Sequence, residues 1–163
     1  MSDKKAPPLA GLVPFLALIL ICVSIAFALD VGYGGAVGMT LHSSVGFLLC
    51  SLAILKLFDL GRFTDGFAAI DPVARWWRGF GYAWPFVELA LGEAFFTFIA
   101  PPTIYWITRI VGLYLITSSL LAMRRKIDPG DPRFANALRA PLPVLMLAEG
   151  ALLFGMSFVL LWL

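Results

Sequence analysis

Five apolar runs of about membrane-spanning length divide the chain, at roughly 9–29, 39–60, 82–100, 103–123 and 143–163. A helix rises ~1.5 Å per residue, so about twenty apolar residues match the hydrocarbon thickness of a bilayer. A backbone in lipid must satisfy its own hydrogen bonds, and runs of this length do so as helices. Hydrophobic residues form 61% of the 163-residue chain and charged residues only 13%, far from the balance of a soluble domain. The expected fold is therefore an all-α integral membrane protein with five transmembrane helices in one domain, leaving no room for a sizeable soluble domain.

The ends of the runs fix further expectations. A polar leader carrying Lys4 and Lys5 precedes the first run. Ala26-Phe27-Ala28 resembles a signal-peptidase site, but the run is longer than the usual 7–15-residue signal core, so a retained first helix is expected. A glycine-rich turn, 30–38, follows. Between the second and third runs lies a basic aromatic segment, 61–80, in which Phe63, Phe67, Ile70 and Trp77 recur at roughly helical spacing. Arg62, Arg75 and Arg78 can face lipid phosphates there. Asp71-Pro72 reads as an N-cap followed by proline at the first helical position, which predicts two short interfacial helices. Pro101-Pro102 closes the third run, and Asp128-Pro129-Gly130 and Asp131-Pro132 mark turns before the last.

Orientation follows from the basic residues. Of the twelve Lys and Arg, Lys4, Lys5, Arg62, Arg75, Arg78, Arg124, Arg125, Lys126, Arg133 and Arg139 lie in the leader and the second and fourth connections, which five crossings put on one side. The first and third connections have none. By the positive-inside rule the N-terminus is cytoplasmic and the C-terminus outside, in a bacterial inner membrane. The same clustering accounts for the net charge of +2 without nucleic acid, and membrane lipids are the expected contact.

Ionisable side chains inside the runs are costly, and they usually face the bundle interior and pair. By helix rise, Lys56, Glu88 and Glu149 lie roughly 6, 9 and 10 Å from the cytoplasmic ends of their spans. A shared level predicts a buried polar cluster of these three, in which one lysine faces two carboxylates and one acid can be held protonated. Glu93 and Arg109 are nearly equidistant from Pro101-Pro102, so a tight hairpin would make them a second buried pair. The alternative for every one of these residues is a purely structural role, or, for Lys56, snorkelling to the interface.

His42, at the outer end of the second span, is the one candidate axial ligand for haem, pigment or metal, and a polar contact at a helix end is the plainer reading. Cys22 and Cys50 form no C-x-x-C and no framework. They differ in depth by ~5 Å, so buried free thiols are expected rather than a disulfide, and no zinc or other metal site is indicated.

The residues KLFDLGRFTDGFAAIDPVARWWRGFGYAWPFVELALG resemble the MauE and DoxX-like redox-associated membrane proteins, in which K-L-x-x-L precedes a phenylalanine-containing segment, a basic stretch and P-F-x-E-L-x-L-G. The likeness covers about 46–92 and continues more loosely to LMLAEGALLFGM. It carries over Lys56, Leu57, Leu60, Phe63, Pro85, Glu88 and Gly92, with Glu149 as a weaker position. It implies a four-helix DoxX-like bundle from spans 2 to 5 plus an N-terminal helix. The function it implies is that of an inner-membrane accessory protein assisting assembly or maturation of a membrane or periplasmic redox protein. Many relatives carry a C-x-C after the fourth span, where this chain reads KIDPGDPRFANALRAPLP and departs from the pattern by having no cysteine. The competing readings are a quinone- or thiol-linked oxidoreductase, and a structural subunit of an electron-transfer or light-harvesting complex. No cofactor is predicted outright; a quinone, pigment or haem contact belongs to those competing readings.

Overall fold

The computed structural model describes residues 12–32, 37–97, 101–125 and 141–162. Among the described residues every regular element is helical: α1 (Val13–Gly32), α2 (Val37–Phe58), α3 (Leu60–Ile70), α4 (Pro72–Trp76), α5 (Arg78–Thr97), α6 (Pro101–Arg124) and α7 (Leu142–Trp162). Four of them, α1, α2, α6 and α7, are long and apolar enough to cross a membrane. The fifth expected span, α5, has the length but carries Arg78, Glu88 and Glu93 in its 20 residues. The leader with Lys4 and Lys5, part of the glycine-rich turn and the DPGDP segment with Lys126, Arg133 and Arg139 lie outside the described residues.

Several boundaries move from their expected places. Nothing between Leu29 and Gly32 breaks a helix, so α1 continues through Asp30, which is buried rather than set in a turn. α5 starts at Arg78 and contains Pro85, which it accommodates inside the helix. Proline is also at home in the first turn of a helix, where the missing N–H has no intrahelical partner, and α6 accordingly begins at Pro101 rather than after the pair.

The expected pair of short helices is present as α3 and α4. Asp59 caps α3, its side chain accepting from the Arg62 backbone N–H. Asp71 caps α4 through Ala74 N at 2.8 Å, with Pro72 at the first position. The apolar stripe of α3 points inward: Phe63, Phe67 and Ile70 are buried in the core, whereas Trp76 and Trp77 are exposed. Phe63 and Phe67 continue into Trp84 of α5 and Tyr114 of α6, with Phe67–Trp84 and Trp84–Tyr114 ring centroids 5.6 and 5.4 Å apart.

The long helices associate mainly as two pairs, α2 with α5 and α6 with α7, while α1 lies along α2. Glycines permit both close approaches. A Cβ on Gly92 would stand 2.6 Å from Cys50 Sγ and 3.0 Å from Gly46 O, and one on Gly112 would stand 2.8 Å from Gly150 O and Phe154 N. Small residues serve this purpose in membranes, where backbone proximity and packing hold helices that hydrophobicity alone cannot. The pairing also sets the site, because it brings α2 against α5 and presents α7 to α2.

Candidate functional site

Lys56 occupies the last turn of α2. A lysine so near a helix end ordinarily extends to water. Here the side chain turns inward and is 1% exposed. Its ammonium forms a salt bridge with Glu88 Oε1 of α5 and donates to both carboxylate oxygens of Glu149 of α7, each at 3.1 Å. Glu88 and Glu149 are equally enclosed, at 0% and 3%. Three helices thus deliver one cation and two acids to a single buried point, with the Phe63 ring 5.7 Å from the ammonium.

The electrostatics explain why such an arrangement holds. Removing one charge from water costs several kcal/mol, which close opposite charges and hydrogen bonds must offset. An ammonium has three N–H donors, and three carboxylate oxygens surround this one. The two acids are not equivalent: Glu149 uses both oxygens on Lys56, whereas Glu88 uses one and its Oε2 is buried without a hydrogen-bond partner. The Trp84 indole, one turn back on α5, neighbours the Glu88 carboxylate, and its Nε1 is buried without a hydrogen-bond partner of its own. Chemically the centre can bind or release a proton, or receive one further hydrogen-bonding group.

The second pair expected from the sequence does not form. Glu93 is exposed, and among the described residues no ion pair joins it to Arg109. Arg109 donates instead to Ser157 Oγ of α7 at 3.4 Å and stacks on Phe158 and Trp106, at 3.8 and 4.5 Å from the ring centroids. The hairpin assumption caused the error: α6 packs principally on α7, and its contact with α5 is slight.

His42 is buried between α5 and α6, with Nε2 2.6 Å from the Phe95 carbonyl and Nδ1 3.0 Å from Tyr105 Oη. A carbonyl only accepts, so Nε2 carries the proton. In the neutral ring Nδ1 then accepts from the tyrosine hydroxyl. With both nitrogens engaged, an axial-ligand role would require breaking one of these bonds. Cys22 and Cys50 are free thiols. Cys22 Sγ lies 3.9 Å from Ser51 Oγ, while Cys50 Sγ sits against Gly92, so the two sulfurs address different helix contacts.

One polar centre was missed at the sequence level. Asp71, wholly buried, accepts from Tyr114 Oη at 2.6 Å and Ser118 Oγ at 2.7 Å in addition to capping α4. The Asp-Pro signature announces the cap but holds no information about partners more than forty residues away. No protein-family model, curated protein or solved structure matches the chain.

Proposed function

We propose that this chain is a non-enzymatic inner-membrane accessory protein, resembling the MauE and DoxX-like group, that assists assembly or maturation of a redox protein. The observation that carries this reading is the buried junction of Lys56 with Glu88 and Glu149. The lysine of K-L-x-x-L and the glutamate of P-F-x-E-L-x-L-G are bonded to each other, and the weaker family position supplies the third member. In this reading α5 is the third of five crossings, stabilised in lipid because its inward face meets Lys56. Spans 2 to 5 then make the DoxX-like bundle beside α1, with the N-terminus cytoplasmic and the C-terminus outside. α3 and α4 lie at the cytoplasmic interface, where exposed Trp76 and Trp77 and the guanidiniums of Arg62, Arg75 and Arg78 suit lipid or a partner surface. Co-purification from mild detergent tests it: a stoichiometric membrane or periplasmic redox partner is expected, and recovery of the chain alone from its native membrane would contradict it.

A quinone-linked oxidoreductase is the second reading, favoured by the juxtaposition of a base, two acids and an indole N–H in one enclosed place. The thiol-linked version has less support, because Cys22 and Cys50 face different contacts. Unchanged complementation by a Cys22→Ser/Cys50→Ser double variant would remove the thiol version. A colourless, correctly folded preparation would argue against a haem or pigment site and the light-harvesting alternative.

A further inference from the structure

We infer that the Lys56–Glu88–Glu149 centre is a proton-binding site that holds one proton at neutral pH, and that Glu88 is the residue that holds it. The charge count comes first. With all three groups ionised, one cation faces two anions, leaving a net negative charge in an enclosure that is no more than 3% exposed at any member. An uncompensated buried charge is among the most costly states in a protein interior, and a bound proton removes it.

Among the described residues, the groups around Glu88 supply no further cation. From α2 comes Lys56 and from α7 Glu149. α3 contributes Phe63 beside the ammonium, and α5 itself contributes Trp84. On the α6 side, the Trp84 ring packs on Tyr114, whose hydroxyl is already given to Asp71. Asp71 in turn takes the Ala74 amide and the Ser118 hydroxyl. No second cation among the described residues bridges to either glutamate.

Geometry then chooses between the two acids. Glu149 gives both oxygens to the ammonium, so its charge is delocalised over two donated hydrogen bonds. Glu88 gives only Oε1, and Oε2 is buried with no hydrogen-bond partner. An orphaned carboxylate oxygen loses its full hydration, whereas a neutral carboxyl at the same place loses much less. The proton therefore resides on Glu88, with its carbonyl side still accepting from Lys56. Such a site responds to charge: any cationic group brought to the centre displaces the proton, and loss of either carboxylate or of the lysine changes the proton count. This inference concerns the centre alone and does not depend on which partner the bundle serves.

Infrared spectroscopy of the full chain in lipid nanodiscs at pH 7, in H2O and D2O, tests it through the C=O band of a protonated carboxyl. The expected result is a component of one carboxyl per molecule that belongs to this centre, shifts in D2O and is isolated as the difference between unmodified and variant protein. That component is the band assigned to the centre, because Asp30 also has a buried, unpartnered carboxylate oxygen. Glu88→Gln abolishes the band by removing its holder. Glu149→Gln also abolishes it, because Lys56 and Glu88 then balance each other and the proton leaves. Trp84→Phe, which removes the neighbouring N–H while keeping a ring, shifts the band without removing it. Absence of the band in the unmodified protein, or its survival in either Gln variant, overturns the proton count. A band untouched by Trp84→Phe overturns the assignment to Glu88. Both Gln substitutions preserve shape, and recovery of monodisperse protein confirms that loss of the band is not loss of the fold.

Discussion

Lys56 decides most at the scale of single residues. Its burial leaves two carboxylates dependent on one ammonium, so removing the ammonium is the most damaging single change. Lys56→Met is expected to destabilise the bundle by roughly 3–5 kcal/mol, whereas Glu149→Gln, which leaves a balanced Lys56–Glu88 pair, should cost about 1–3 kcal/mol. Thermal unfolding in detergent measures both, and equal losses would contradict the asymmetry. Arg109 gives the contrasting case. With a long hydrogen bond to Ser157 and two aromatic faces in place of an ion pair, Arg109→Met should cost about 0.5–2 kcal/mol. Adding Glu93→Gln should reveal no coupling in a double-mutant cycle. The inner cluster could be read from the sequence because a buried charge must find a partner at its own depth. The same rule misled at Glu93 and Arg109, since equal depth says nothing about which faces of which helices touch.

Elements add what residue depth cannot supply, namely the choice of neighbours. The α6–α7 pair rests on backbone contact at Gly112 and Gly150. Gly112→Ala must push the helices apart, at roughly 1–3 kcal/mol of overpacking, and thermal unfolding should show it, whereas Gly61→Ala, with open space around the added Cβ, should not. Asp71 ties the short helices to α6. Asp71→Ala removes a cap and strands two hydroxyls, an expected loss of roughly 2–4 kcal/mol, and hydrogen exchange in α4 should accelerate before that in α7. Unchanged exchange in α4 would remove Asp71 as the anchor. Helix existence was legible throughout, including the Asp71-Pro72 break, because propensity and capping are local. The inward turn of Phe63, Phe67 and Ile70 was not, since an amphipathic stripe looks the same whether it meets lipid or a neighbouring helix.

At the scale of the whole molecule, the four apolar helices and the polar seam between α2, α5 and α7 make one argument. A helix as charged as α5 becomes compatible with a bilayer when its costly group is matched inside the bundle. Reporter fusions at Gly35, Pro129 and Leu163 should give outside, cytoplasmic and outside signals, and a cytoplasmic signal at Leu163 would mean that one of the five crossings does not occur. On this reading the seam is where the protein works and not merely what holds it together. Complementation of a deletion strain by Glu88→Gln, at membrane abundance matched to the unmodified chain, tests this most directly. Loss of function with the folded bundle retained is expected, and full activity would reduce the seam to scaffolding.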